Sequence, residues 1–295
     1  MKLAVFDDNR LAIAEGDSLY DVTKAIPNHR GPWPPVFMQQ IIADWPAMAP
    51  RLAAARQGAA AIPRASVTLR SPIPFTGNIV AAPANYTKHV GELGDRGITA
   101  KGNSARDVGF FLKATSSLSG ADEPIVLPVN SGRRFDHETE LGVVIGRTCR
   151  NVRREEALGY VFGYACLIDL SMRIEPGRPA EERCTRKSFD SFTPLGPWIV
   201  TADEVPDPQS LSNRLWVNDE LRQEANTSEM TMGVAELIEL ISSVMTLRPG
   251  DVIASGTPQG VGPVVPGDRV TIEIERVGRM TLNVVAAVKA APRIF

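Results

Sequence analysis

Short apolar runs closed off by turn residues constrain this chain most. Leu141-Gly-Val-Val-Ile145, Trp198-Ile-Val200, Asp251-Val-Ile-Ala254 and Val270-Thr-Ile-Glu-Ile274 are each bounded by Gly, Pro, Asn or Asp. Runs of this length between breakers read as buried strands. Helical patterns are fewer: one over 154–162, and one over 231–245 that ends before Arg248-Pro249-Gly250. The 24 glycines and 23 prolines punctuate the chain throughout. Many short strands with few long helices predict a β-rich α+β domain rather than a parallel βαβ fold. There is no tandem repeat and no low-complexity tract.

The N-terminal quarter reads differently. Residues 2–6 and 11–14 are predicted as two strands joined by a polar turn at 7–10. Residues 18–26 are predicted as a short helix capped by Asp17 or Ser18. The stretch 27–35 holds four prolines and must be loop. Residues 36–57 follow as one or two helices broken near Pro46 and Pro50, and 68–74 as a linker. We therefore expect a small N-terminal domain over 1–70 and a catalytic domain over 71–295. The 295 residues carry a net charge of −2, which gives no support for nucleic-acid or membrane-surface binding. No apolar run reaches the ~20 residues that span a bilayer. The start lacks a signal-peptide pattern, and Cys149, Cys166 and Cys184 form no CxxC pair. A reducing, cytoplasmic setting is the simplest expectation.

Four clusters carry candidate chemistry. Of the three histidines, His29 lies in the proline-rich loop and reads as a surface residue. His89 and Glu92 are three apart and would share one face of a helical turn. A carboxylate beside an imidazole orients its tautomer and suits a general base acting on water, although surface pairs at this spacing are common. In Phe135-Asp136-His137-Glu138-Thr139-Glu140, a strand would point Asp136, Glu138 and Glu140 to one face. Such a row needs a hard divalent cation, lysines or arginines between the acids, or solvent over them. Asp169 ends the apolar run Gly163–Leu170 and needs a partner, either a shared metal or Arg173. Arg173 and Lys187 are also candidates for binding an anionic substrate. Ser255-Gly-Thr257-Pro-Gln-Gly260-Val-Gly262 is not a P-loop; it is either a ligand-approach loop or a turn-rich hairpin. With no GxSxG, HExxH or GxGxxG signature, metal-assisted chemistry is the reading these residues favour.

Taken together and in order, these motifs resemble the fumarylacetoacetate hydrolase family. The resemblance rests on Asn85-Tyr86-x-x-His89-x-x-Glu92, Phe111-Leu-Lys113-x-x-Ser116-Ser117-x-x-Gly120, Asp136-x-Glu138-x-Glu140-Leu141 and Asp169-x-x-x-Arg173. It continues through Lys187-Ser-Phe-Asp190-x-Phe-x-Pro-Leu-Gly196-Pro-Trp198, Leu247-x-Pro-Gly250-Asp251 and Ser255-Gly-Thr257-Pro-x-Gly260-Val-Gly262, and so covers about 75–285. It implies a mixed β-roll or barrel catalytic domain, usually a homodimer, with Mg²⁺ (Mn²⁺ or Ca²⁺ as alternatives) in the site. Residue by residue, Glu138, Glu140 and Asp169 match metal ligands, and His89 and Glu92 match the water-activating pair. Lys187 matches an active-site lysine, and Arg173, Thr257 and Tyr86 are substrate-contact candidates. The stretch from His89 to Phe110, with Gly91, Gly94, Gly97, Gly102 and Gly109, corresponds to a mobile lid. Where many relatives read Asn-Asp-Val-Ser-Ala-Arg-Asp, this chain has Ile168 and Ile174 at the first and last positions. The activity implied is Mg²⁺-dependent C–C hydrolysis of an acylpyruvate-type 2-oxo acid in aromatic catabolism. The alternatives are a decarboxylase, an isomerase or a 2-keto-3-deoxy sugar-acid dehydratase of the same family, or a non-catalytic ligand-binding protein.

Overall fold

A computed structural model describes residues 1–27, 29, 31, 33–95, 104–129, 131–175, 177 and 180–290. The apolar runs form strands as expected. Thr139–Ile145 is buried at all seven positions, because it is hydrogen-bonded on both edges and covered on both faces. It pairs antiparallel with Val161–Ile168 on one side and Val252–Ala254 on the other. Among the described residues this sheet has 11 strands. From Val161–Ile168 it continues through Thr193–Thr201 to Lys2–Phe6, Arg10–Glu15, Ser18–Asp21 and Ala61–Pro63. From Val252–Ala254 it continues to Ile79–Ala81 and Phe111–Lys113. A second sheet of five strands runs in the order 220–226, 212–217, 269–274, 278–286 and 125–127. A small three-stranded sheet sets Phe135–His137 between Ser171–Met172 and Gly262–Pro263. The β-rich α+β expectation holds.

The N-terminal strands are hydrogen-bonded into the large sheet, with Lys2 opposite Val200 and Leu3 opposite Ile199. Residues 18–26 are not a helix. Ser18–Asp21 turns back at Gly16-Asp17 and pairs with Arg10–Glu15, and only Thr23–Ala25 forms a 3-10 turn. The hairpin wins because it buries Leu19 in the core beside Ala12 and Ala14. The helices Phe37–Ala43 and Trp45–Gln57 break at Asp44, with Pro46 tolerated in the first turn of the second. Residues 68–74 are packed rather than linker-like: Leu69 is fully buried, and Asp7 and Arg70 exchange backbone hydrogen bonds with Thr68 and Val5. The pattern over 154–162 splits into the helix Arg154–Ala157, a 3-10 turn and the start of a strand at Val161. The pattern over 231–245 forms the helix Val234–Val244. His29 is half-buried against Phe37, with its ring Nε2 2.5 Å from the Asn9 carbonyl oxygen, so it is not a plain surface residue.

Candidate active site

The central strand delivers two carboxylates to one place. The strand residues Phe135–His137 and Thr139–Ile145 are separated at Glu138, where the chain passes from the small sheet to the large one. Glu138 and Glu140 meet Asp169, which follows Val161–Ile168 and whose N–H donates to the Glu138 carbonyl at 2.9 Å. All three side chains are buried, and their carboxylate oxygens lie within 4.8 Å of one another. Asp136 is not part of this group. It accepts from Arg134 at 2.6 and 3.0 Å and from Arg173 Nε at 2.7 Å. One guanidinium, that of Arg173, bridges Asp136 and Glu138, the arginine that a row of acids was expected to need.

Cations surround the carboxylates. Lys187 Nζ donates to Glu138 Oε2 at 2.7 Å and to Asp169 Oδ2 at 2.6 Å. Arg173 Nη2 donates to Glu138 Oε1 at 2.7 Å, and the Ser171 hydroxyl donates to the same oxygen at 3.0 Å. Lys113, which had no role assigned from sequence, donates to Asp169 and, at 2.9 Å, to the Phe192 carbonyl. Arg173 therefore neutralises Asp136 and Glu138, while two lysines neutralise Asp169. Burial opposes ionisation of Glu138, but Lys187 and Arg173 outweigh it and hold its carboxyl far below the usual range. Burial also opposes the charge on Lys187, yet Asp169 and Glu138 hold its ammonium above its ordinary value. At Lys113 burial dominates and draws the ammonium down despite Asp169. Glu140 is the least compensated. Burial, reinforced by Asp169 and Glu138, pushes its carboxyl well above the usual range, against the N–H of Gly256 donating at 2.8 Å. A dry set of three hard oxygen donors with one acid held against its own ionisation fits a divalent cation.

The remaining candidates stand around the same space. A cavity of about 340 Å³ is lined by Glu138, Glu140, Arg173, Lys187, His89 and Thr257, among others. His89 is carried on the helix Thr87–Asp95, and its Nδ1 lies 3.1 Å from Glu92 Oε2. The helix enters the site through Asn85, whose side chain is a buried four-way junction. Its Nδ2 donates to the carbonyls of Met232 and Ser255, both at 2.8 Å. Its Oδ1 accepts from the Thr231 hydroxyl at 2.8 Å and from Met232 N at 2.9 Å. The Ser255–Gly262 loop packs tightly against this junction: a Cβ on Gly256, whose φ is +92°, would lie 2.5 Å from the Asn85 Cβ. The glycine is what lets the Gly256 N–H reach Glu140.

Thr257 is oriented from behind. Gln223 Oε1 accepts from Thr139 N and faces His137 Nδ1, both at 3.0 Å. Its Nε2 donates to Thr257 Oγ1 at 2.8 Å and to the Pro258 carbonyl at 2.9 Å. Gln223 gave no signal in the sequence. Tyr86 is fully buried and is not among the residues lining the cavity. Of the lid expectation, 96–103 lies outside the described residues; the helix Thr87–Asp95 precedes it, and Ala105–Val108 follows under a Ser104–Asp107 capping box.

Comparison with known proteins decides the family. Residues 78–285 match the family model described as fumarylacetoacetate (FAA) hydrolase C-terminal. This chain belongs to the fumarylacetoacetate hydrolase family. It is 47% identical over 292 residues to a maleylpyruvate hydrolase of Aquipseudomonas alcaligenes, covering 96% of this chain and 99% of that protein. It is 40% identical over 215 residues to a 2,4-didehydro-3-deoxy-L-rhamnonate hydrolase of a Sphingomonas species, covering 70% of this chain and 73% of that one. Among solved structures it superposes with a TM-score of 0.86 on the maleylpyruvate hydrolase of Sphingobium sp. SYK-6. That structure is a complex with manganese(II) and pyruvate; the identity is 45%, over 97% of this chain and 100% of that one. This chain is accordingly an enzyme of the family, a metal-dependent hydrolase acting on a C–C bond. Among the described residues, no helix is long and apolar enough to cross a membrane.

Proposed function

We propose that this chain hydrolyses an acylpyruvate: water and substrate give pyruvate and the carboxylic acid of the acyl half. One observation carries the reading: the His89–Glu92 pair and the buried Glu138–Glu140–Asp169 cluster line or border the same cavity. A divalent cation held by these carboxylates, proposed as Mg²⁺, would supply a Lewis acid for the oxygens of a 2-oxo acid. The rest is the work of side chains. Glu92 accepts from His89 Nδ1–H, which leaves Nε2 as the lone-pair nitrogen of a ring that lines the cavity. Nε2 takes a proton from water, and the water oxygen attacks the acyl carbonyl carbon. The C–C bond to the pyruvyl carbon breaks, its electron pair leaves as the enolate of pyruvate, and the proton returns to that carbon. Arg173 and Lys187 hold positive charge beside the developing anion. Gln223 donates to Thr257 Oγ1, so the Thr257 hydroxyl proton is free to donate to a substrate oxygen.

The full-length similarity to two maleylpyruvate hydrolases supports a substrate of that class within aromatic catabolism. We further propose a homodimer, on the family resemblance, and a cytoplasmic setting, which three free cysteines support. The test is loss of enol absorbance from acylpyruvates, coupled to pyruvate detection, with Mg²⁺ and with EDTA. Stoichiometric pyruvate that EDTA abolishes, and a fall of on the order of 10²-fold or more in kcat for His89→Ala, are the expected results. Full activity in His89→Ala would remove the general base from the mechanism.

A further inference from the structure

Besides Lys187, the helix Arg183–Lys187 brings two arginines to the cavity wall that the mechanism does not use. Arg186 is 8% exposed and lines the cavity. Among the described residues its hydrogen bonds go only to backbone carbonyls, Nε to Glu181 at 3.0 Å and Nη1 to Met172 at 3.3 Å. Among the described residues it makes no ion pair, and its Nη2 has no partner. Arg183, three residues earlier and on the same face, also lines the cavity without an ion pair among them. The acids nearby are otherwise engaged or placed. Glu181 and Glu182 also line the cavity; Glu181 is held by Arg133 at 2.7 and 3.1 Å, and Glu182 is exposed to solvent. Asp136 and Glu138 are taken by Arg134, Arg173 and Lys187. Burial, with Arg173 and Arg183 close by, draws the Arg186 guanidinium below its ordinary range. A buried guanidinium is stable only when paired, and a planar donor fork left open to a cavity matches a carboxylate.

We propose that Arg186, assisted by Arg183, is a second anion subsite that selects acylpyruvates whose acyl half ends in its own carboxylate. The inference rests on the acylpyruvate reading and deepens it. The 2-oxo acid end would go to the divalent cation proposed for Glu138, Glu140 and Asp169, and the second carboxylate to the arginines of the same cavity. The substrate class is then a dicarboxylate, and the acid released with pyruvate is also a dicarboxylic acid.

The test compares kcat/KM for maleylpyruvate or fumarylpyruvate with that for acetylpyruvate, whose acyl half is uncharged. Wild type is expected to favour the dicarboxylate, and Arg186→Gln to lower the dicarboxylate-to-acetylpyruvate ratio on the order of 10²-fold. Arg183→Gln, at a half-buried position, is expected to lower the same ratio less, and it serves as the reading if Arg186→Gln does not fold. No preference in wild type, or a ratio unmoved in the variants that fold, overturns the subsite. A wild type inert on every acylpyruvate overturns the proposed function instead. In that case maleate or fumarate protection against thermal unfolding, present in wild type and lost in either variant, still decides the subsite.

Discussion

Replacing Lys187 by Met tests whether the carboxylates are a cation site or a structural ion-pair cluster. Lys187 donates to Glu138 at 2.7 Å and to Asp169 at 2.6 Å from a position 6% exposed to solvent. The Met side chain fills the same volume without the charge. It leaves Asp169 with Lys113, and Glu138 with Arg173 and Ser171. Removing a buried cation whose two carboxylates each keep another partner costs about 1.5–3 kcal/mol, the range of a hydrogen bond to a charged group. In EDTA, urea unfolding of Lys187→Met should therefore show a loss of that size. A bound divalent cation supplies the missing positive charge and also escapes repulsion from the Lys187 ammonium. In saturating Mg²⁺ the deficit should shrink, and the Mg²⁺-induced rise in stability should be larger in the variant than in wild type. Activity should be lost in both conditions. An equal deficit with Mg²⁺ and with EDTA would show that the cluster does not hold the ion. A deficit below about 1 kcal/mol in EDTA would refute the buried ion pairs themselves.

Two further outcomes follow from the packing around the site. Asn85→Ala removes four buried hydrogen bonds that tie residues 231–232 to Ser255, and should destabilise by about 3–5 kcal/mol in urea unfolding; a loss under about 1 kcal/mol would contradict the junction. Gly260→Ala places a Cβ 2.0 Å from the Arg222 carbonyl oxygen at a φ of +89°, and should cost at least about 2 kcal/mol, read as a lower urea midpoint; an unchanged midpoint would contradict the tight loop.

The strands were legible because burial on both faces writes itself as an uninterrupted apolar run, as in Leu141–Ile145. Residues 18–26 misled because a short polar segment has nearly equal local preferences, and pairing with Arg10–Glu15 decided the matter from outside the segment. The acid motif gave Glu138 and Glu140 and left open what neutralises the row; Arg173, which bridges Asp136 and Glu138, is 37 and 35 residues away, too far for a local pattern to report. Lys113 stood within a quoted motif, yet its partner Asp169 is 56 residues away, and no local pattern reports such a contact. Gln223 lies on the strand Glu220–Asn226, whose exposed positions read as an ordinary polar edge, and only the tertiary structure turns that one amide inward to Thr139 and Thr257.

The two isoleucines that depart from the family pattern divide between fold and site. Ile168 is fully buried in the core and opposes Thr139 in the central sheet, facing away from its neighbour Asp169 as strand alternation requires. It exchanges a polar core position for an apolar one and leaves the carboxylate cluster intact. Ile174 lines the cavity. An acid at that position would bring a negative charge into the space shared with Arg173, Arg183 and Arg186, where it would compete with a ligand's carboxylate for the guanidinium groups. Isoleucine withholds that competitor and offers an apolar surface for a carbon chain. With isoleucine there, Arg186 keeps only its two backbone hydrogen bonds among the described residues, and an acidic acyl group is the chemistry that would pair it.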